Sequence, residues 1–267
     1  MKHQRIIGKG AVLMMIACLS ACYQTQDGCL DILSSNYEVG ADYECEDCCE
    51  YPSLVLRLLQ VNGEESFSLG DTIVNNLNIE TRVLKIVYLL SGVAITLDGE
   101  AAYVNEPIRV QSDQDTIWVR DDFVRVSRIK ARYEVGELRE RGAISALHFQ
   151  LGVPAEVDGG LFIDDDKNDL STDPDSLRLD DRTYVVQRLY LGVGPELKDS
   201  IIVDVPASLG LEAVSIPMDT SFAAGKDKEL ELTVDYAGWF DDIDFVNEEQ
   251  LEIAKKLKRN LAEGFRE

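Results

Sequence analysis

Histidine and basic residues are scarce in this sequence. Only two of its 267 residues are His, and 26 Lys and Arg residues stand against 49 Asp and Glu residues, which gives a net charge of −23. One His is at position 3, so His148 is the only one beyond the N-terminal segment. This scarcity excludes a catalytic centre that needs two imidazoles. The negative charge predicts that the protein does not bind nucleic acid, because the phosphates would be repelled.

The motifs of common enzyme classes are also absent. The chain has no P-loop, no dinucleotide-binding glycine motif, no zinc-binding His-Glu-x-x-His and no Gly-x-Ser-x-Gly nucleophile turn. Its carboxylates are too numerous for a glycosidase pair to be singled out. The sequence therefore predicts no catalytic residues and favours a protein that is not an enzyme.

No apolar run reaches the roughly 20 residues that a membrane-spanning helix needs, but the N-terminus carries a shorter one. Basic residues at positions 2, 5 and 9 precede an apolar stretch over 11–19, and Leu19-Ser20-Ala21-Cys22 follows. This order is typical of a bacterial lipoprotein signal peptide. We expect cleavage after residue 21 and a lipid anchor on Cys22; the alternative is an ordinary secretory signal.

The segment after this cysteine bears on where the protein is attached. Residue 23 is Tyr and not Asp, which favours the outer membrane over inner-membrane retention, with the domain facing the periplasm or the cell surface. Residues 22–27 are expected to form a lipidated tether. Removal of residues 1–21 takes away three of the 26 basic residues and no acidic one, so the remaining charge is −26. Such a surface favours cations or basic partners.

Four cysteines remain beyond the anchor, in a module over residues 28–51 that has little aliphatic content. An even number of cysteines in an exported protein predicts two disulfides among Cys29, Cys45, Cys48 and Cys49. A bond between the adjacent pair would strain the peptide, which leaves two pairings open: 29–49 with 45–48, or 29–48 with 45–49. A zinc site on the four thiolates is the alternative.

The remainder, residues 52–267, has the pattern of an all-β domain. Apolar runs rich in Val, Ile and Tyr are separated by Gly, Asp, Asn and Pro, which favours an antiparallel β-sandwich. We predict strands over 54–61, 83–97, 103–110, 115–120, 123–133, 144–151, 183–193, 200–205 and 229–236. The run 83–97 is broken at Ser91-Gly92, which indicates either two strands or one bulged strand.

The C-terminus is predicted to be an α-helix. Asn247 is the expected N-cap, acidic residues follow it, and basic residues lie toward the other end. An apolar face that docks onto the sandwich is expected from Leu251, Ala254, Leu257, Leu261 and Phe265.

Two candidate metal sites occur. In the acidic segment 164–175, Asp164, Asp166 and Asn168 alternate as calcium ligands do, and Asp175 holds the twelfth position. Asp169 replaces the glycine of an EF-hand, so a solvated acidic loop is the simpler interpretation. The second candidate, His148, alternates with Leu147, Phe149 and Leu151 and should project away from the core.

Part of the N-terminal module resembles a known pattern. Gly28-Cys29-Leu30-Asp31, Asn36-Tyr37 and Cys49-Glu50-Tyr51 are similar to a short cysteine module of exported Bacteroidota proteins. That module starts with Gly-Cys-x-Asp and ends with Cys-x-Tyr. The resemblance therefore implies a Cys29–Cys49 disulfide, although Cys45 and Cys48 depart from the simple pattern.

The following domain resembles the MbnP-like family of periplasmic and lipid-anchored β proteins. The similarity lies in the strand 84–95, in Phe149-Gln150-Leu151-Gly152-Val153, in the strand 230–236 with Trp239-Phe240-Asp241, and in the final helix. It implies a β-sandwich, copper held by histidine together with an oxidised tryptophan, and di-haem peroxidase-like partners. Asp173-Pro174 stands where the family has His-Pro, and an aspartate-rich loop suits copper poorly. We therefore expect a non-enzymatic binding or interaction module, with copper or calcium handling as the alternative.

Overall fold

The computed structural model describes residues 25–104, 107–111, 115–127, 130–157, 160–163, 177 and 183–267. The side chains at 161 and 162 are outside this description. The predicted lipidation site Cys22 and the predicted calcium ligands Asp164, Asp166, Asn168 and Asp175 also lie outside the described residues.

The described part of the chain consists mainly of β-strands, with one α-helix near the C-terminus. In chain order the strands are β1 (Asp27–Gly28), β2 (Tyr43–Glu44), β3 (Ser53–Asn62), β4 (Glu65–Ser66), β5 (Thr72–Val74), β6 (Glu80–Leu97), β7 (Glu100–Tyr103), β8 (Pro107–Gln111), β9 (Thr116–Arg120), β10 (Val124–Ser127), β11 (Arg132–Glu137), β12 (Gly142–Leu151), β13 (Leu161–Phe162), β14 (Val185–Val193), β15 (Asp199–Pro206), β16 (Glu212–Phe222), β17 (Lys228–Asp235) and β18 (Phe265–Arg266); the helix is α1 (Gln250–Glu263).

Two sheets enclose the main core. The large sheet has the order β15-β14-β6-β12-β16, with β5, β7 and β10 also paired to β6; the small sheet has the order β11-β3-β17-β18, with β4 on β3. Alternate residues of both sheets point inward, and their apolar side chains form one continuous buried cluster. A three-stranded sheet, β13-β8-β9, lies beside them. This architecture confirms the predicted all-β class with a C-terminal helix.

Strand β6 organises the large sheet because it is buried on both faces. Tyr88 and its even-numbered neighbours join the main core, whereas Val87 and Leu89 join a second buried cluster that contains Phe123 and Val153. A strand buried on both sides has a near-continuous apolar sequence instead of an alternating one. This is why the run 83–97 is so uniformly hydrophobic.

The small sheet contains a parallel pair that the sequence analysis did not predict. Strands β3 and β17 run parallel from Leu54↔Lys228 to Val61↔Asp235. Their inward residues are buried leucines and valines, as the alternation in each strand requires. Among the described strands of the sandwich, every pair except β3–β17 is antiparallel. The short pair β1–β2 of the N-terminal module forms a separate parallel sheet.

Two predicted strands are each divided between sheets. The prediction of a single strand over 123–133 is wrong, because β10 pairs with β6 in the large sheet and β11 pairs with β3 in the small sheet. The Tyr133 hydroxyl fixes this crossing, since it accepts the Ser127 N–H at 3.0 Å. The prediction of a single strand over 103–110 is wrong for the same reason, because β7 belongs to the large sheet and β8 belongs to the three-stranded sheet.

Strand β16 was not predicted. Val214, Ile216 and Met218 alternate inward as in other strands, but Pro217 lies among them. Proline has no N–H for the sheet ladder and is found mainly on edge strands. Strand β16 is an edge of the large sheet, where it pairs with β12, so the proline is tolerated.

The C-terminal helix docks as predicted, with three corrections. Phe265 is buried, but it lies in β18, beyond the end of α1 at Glu263. Glu249 and not Asn247 is the N-cap, because Asn247 instead donates to the Asp244 carboxylate at 2.7 Å. Leu251 is 53% exposed and does not belong to the docking face. The buried helical residues are Ile253, Ala254, Leu257, Asn260 and Leu261.

The N-terminal module is held by two disulfides, Cys29–Cys49 and Cys45–Cys48. This pairing is one of the two left open by the sequence and the one implied by the module resemblance. The Sγ atoms of Cys45, Cys48 and Cys49 lie within 4.8 Å of one another, but each is already bonded to another sulfur. The structure therefore does not provide the free thiolates that a zinc site needs.

Candidate functional site

A cleft of about 1030 Å³ opens on the outer face of the large sheet, opposite the main core. Its floor comes from β6, β7, β12 and β16, and one wall comes from β9 and the residues after it. We call it the outer cleft and define it by Gly92, Tyr103, Trp118, Asp122, His148 and Gln150.

Strand register explains why the floor leaves so much space. Ala94 pairs with Tyr103 on one side and with His148 on the other, and His148 pairs with Ser215. These four side chains therefore form one row across four strands, about 14 Å long at the usual strand spacing. Two members of the row are small, so the floor is low between the larger side chains.

A bulge in β6 shapes the end of the floor. Gly92 has a φ of 61° there, a left-handed conformation that glycine adopts without steric cost. The register between β6 and β12 shifts at this point, where Gln150 pairs with Ser91. The shift leaves the Gly92 N–H free to donate to Asp122 Oδ1 at 3.0 Å.

Asp122 connects this bulge to the wall of the cleft. Its carboxylate is nearly fully buried and lies 3.7 Å from Arg120 Nε, through Oδ2. Burial raises the pKa of the Asp122 carboxyl above its usual range, although the Gly92 N–H and Arg120 oppose the shift. The Arg120 guanidinium in turn lies 4.2 Å from the centre of the Tyr103 ring. Asp122 thus holds Arg120, and Arg120 supports Tyr103.

Trp118 stands at the mouth of the cleft on β9. It is 66% exposed, whereas Trp239 is completely buried in the core. Its partner across β8–β9 is Arg109, whose guanidinium carbon is 5.6 Å from the centre of the indole ring. A large apolar side chain this exposed, in a cleft with a second exposed aromatic residue, indicates a contact surface.

His148 occupies the middle of the floor and projects away from the core, as predicted. Its Nε2 lies 2.7 Å from Thr96 Oγ1. Among the described residues, the only cluster of three or more potential metal ligands is the cysteine group 45, 48 and 49, so His148 has no such neighbours there. Copper(I) needs soft or imidazole ligands, and one imidazole does not fit it. We derive no copper chemistry from this site.

A smaller cavity of about 410 Å³ lies beside α1 and β18. Four of its six charged lining residues form two ion pairs: Arg259 lies 3.4 Å from Asp242, and Arg266 lies 3.3 Å from Asp235. Because both cations are already paired and the cavity is less than half the size of the outer cleft, it is the weaker candidate.

Of the residues that define the outer cleft, only His148 was predicted from the sequence as a candidate site residue. Gln150 lies in the stretch 149–153 that carries the family resemblance, and Trp118 lies in no motif. They meet only through strand register. A partial signal was available in the strand 116–120, where a tryptophan occupies an outward position.

No protein-family model matches the chain, and no curated protein matches it. Among solved structures it is similar to MbnP from Methylosinus trichosporium, with 11% sequence identity and a TM-score of 0.44 over 74% of this chain and 82% of that chain. Similarity at this level carries no argument about family or function. What the fold defines is a β-sandwich with a disulfide-bonded N-terminal module.

Proposed function

We propose that this chain is an exported, lipid-anchored protein of the outer membrane whose β-sandwich is a non-enzymatic binding module. The outer cleft is its ligand site. The observation that carries the proposal is the combination of exposed Trp118 and Tyr103 with buried, well-supported polar groups in one large cleft. Ligand sites typically combine apolar walls with a few fixed polar groups.

The surroundings of the titratable groups favour binding over catalysis. Asp122 is engaged by the Gly92 N–H and by Arg120. Thr96 Oγ1 and His148 Nε2 are as close as a nucleophile and its base, but among the described residues no third group bonds the other imidazole nitrogen to orient the ring. These side chains are instead used to hold the cleft in shape.

The anchor rests on the sequence of residues 1–22. No α-helix in the part of the chain that the structure describes is long and apolar enough to cross a membrane. A lipid on Cys22 would hold the module, which begins only a few residues later, close to the bilayer surface. With an acidic surface, the domain would be repelled by anionic headgroups and remain free for its ligand.

Replacement of the anchor residue tests the attachment. Cys22→Ser should abolish incorporation of an alkyne-labelled fatty acid and move the protein from the membrane to the soluble fraction. Cys18→Ser is the matched control, because this cysteine lies in the predicted signal segment and should leave labelling intact. Carbonate-resistant membrane association of the Cys22→Ser protein would contradict the proposal.

Hydrogen exchange tests the cleft as a binding site. The full-length protein, in a detergent without a sugar headgroup, is exposed to three kinds of probe: neutral hexasaccharides, a capped hexapeptide of alanine and glutamine, and indole. A ligand in the cleft should slow exchange at 92–94, 101–103, 118–122 and 148–150, and Trp118→Ala should remove the effect. Protection by none of the probes would refute the site.

A further inference from the structure

We propose that the outer cleft binds a neutral carbohydrate chain. In this arrangement Trp118 and Tyr103 form the stacking surfaces, and Gln150 provides the main hydrogen-bonding group for sugar hydroxyls. The inference rests on the proposed function, since it names the ligand class of the same cleft.

The aromatic residues fit the apolar faces of sugar rings. Trp118 is 66% exposed and Tyr103 is 41% exposed, so both leave ring surface open to a ligand. The face of an aromatic ring is electron-rich and attracts the weakly positive C–H groups of a pyranose. Arg120, 4.2 Å from the centre of the Tyr103 ring, supports this ring from one side and limits its movement. Two such rings in one cleft suit a ligand with repeated flat apolar faces.

The polar groups fit hydroxyls better than they fit charged groups. A side-chain amide both donates and accepts hydrogen bonds, as a sugar hydroxyl does. Gln150 is half-buried in the floor, and among the described residues its amide makes no hydrogen bond. The amide is not among the buried polar atoms that lack a partner, so water reaches it and a sugar hydroxyl can take the place of that water. Gln150 is therefore available in the unbound protein.

The charge of the cleft and of the whole chain argues against charged ligands that also have flat faces, such as nucleotides. Among the described residues, the charged side chains that line the cleft are one cation, Arg120, and two carboxylates, Asp122 and Glu156. Arg109 lies against Trp118 at the mouth, and the whole chain has a net charge of −23. Nucleotides and other phosphorylated or carboxylated ligands would be repelled. Arg120 is also already engaged by Asp122, so it is not free to bind an anion. Asp122 is in turn engaged by the Gly92 N–H and by Arg120, so it is not free to pair with a cationic ligand. The cleft therefore fits a neutral ligand better than an ion of either sign.

Size favours an oligosaccharide over a single sugar. Small-molecule pockets usually enclose about 300–1000 Å³, and the cleft has about 1030 Å³ with an open side. The row from Tyr103 to Ser215 crosses four strands, so the floor is elongated along one direction. A chain of several sugar rings fits this shape.

Calorimetry with defined neutral hexasaccharides tests the inference. Four sugars are titrated separately into the full-length protein: cellohexaose, maltohexaose, xylohexaose and mannohexaose. Each sugar reaches about 5 mM, a concentration at which millimolar binding is detected. At least one should bind, and Trp118→Ala and Gln150→Ala should each weaken it by about tenfold or more. Trp118→Phe keeps an aromatic face and should retain most of the affinity.

Matched controls separate the cleft from general effects. Tyr43→Ala removes a 60% exposed aromatic residue of the N-terminal module and should leave affinity unchanged. Near-ultraviolet circular dichroism, dominated by the buried aromatic core, verifies that each variant is folded. Mass spectrometry of the bound sugar should show intact hexasaccharide, as a non-enzymatic module requires.

The outcomes distinguish this inference from the proposed function. If the hexapeptide or indole protects the cleft and no hexasaccharide binds, the carbohydrate inference is overturned while the binding site stands. If no probe protects the cleft, both fail. Equal affinity of the wild type and Trp118→Ala for a hexasaccharide would place the sugar elsewhere and also overturn the inference.

Discussion

Gly264→Ala is expected to destabilise the domain through a steric conflict in the core. A Cβ at this position would lie 1.9 Å from Trp239 Nε1 and 2.9 Å from the Asp235 carbonyl oxygen. Neither neighbour can yield easily. The indole is fixed by Tyr236, with ring centres 4.4 Å apart, and the Asp235 N–H donates to the Gly264 oxygen at 2.8 Å.

The size of the effect follows from the cost of overpacking. Extra atoms forced into a well-packed core cost about 1–3 kcal/mol, which in a domain of this size lowers Tm by roughly 2–12 °C. Gly264 has a φ of −75°, so alanine adopts its backbone conformation without strain and the loss is steric.

Gly238→Ala is the matched control for this prediction. It lies beside Trp239, yet a Cβ there would have no atom within 4 Å. Without a conflict, the reduced freedom of the unfolded chain should leave stability unchanged or raise it by about 0.4–1 kcal/mol. Differential scanning calorimetry and urea unfolding compare the two variants. If the Tm values of the two variants agreed within about 1 °C, their stabilities would differ by well below 1 kcal/mol. That result would refute the packing argument around Trp239.

Three further perturbations test other parts of the molecule. Replacement of both Cys29 and Cys49 by Ser should lower stability by about 3 kcal/mol, since the bond closes a loop of 20 residues; an unchanged urea midpoint would contradict this. Asp122→Asn should stabilise the protein, and most strongly at pH 7. Burial raises the pKa of the Asp122 carboxyl, so the wild type itself gains stability as the pH falls and the carboxylate takes up a proton. The Tm difference between the two proteins should therefore narrow toward acidic pH, and a difference that grows would contradict the sign. Leu257→Asp should remove hydrogen-exchange protection from residues 250–263, whereas Leu251→Asp, at a 53% exposed position, should not; equal protection in both variants would refute the docking face.

Local pattern was sufficient for most of the secondary structure. The alternation in β3 and the apolar run of β6 predicted both strands, because burial on one or both faces leaves a direct trace in sequence. The errors occurred where tertiary position decides. Pro217 is acceptable only because β16 is an edge strand, and the break between β10 and β11 exists because the chain moves from one sheet to the other.

The outer cleft could not be predicted from local pattern. Tyr103, His148 and Ser215 lie far apart in the chain and share one row only because β7, β6, β12 and β16 pair in a particular register. A shift of one residue in any pair would turn the side chains of that strand to the opposite face. Position on the outer face was predicted for His148 alone, from its alternation with buried neighbours, although the strand around Trp118 carried a partial signal of the same kind.

The placement of β3 has a consequence for biogenesis. This strand is among the first parts of the sandwich to emerge during synthesis, yet it lies between β11 and β17 in the small sheet. Its parallel partner is complete only at Asp235, more than 170 residues later. Contacts between such distant segments form slowly and leave apolar edges exposed in the meantime. We therefore expect the small sheet to close only after nearly the whole chain has emerged, so that the incomplete chain depends on chaperones until it is finished.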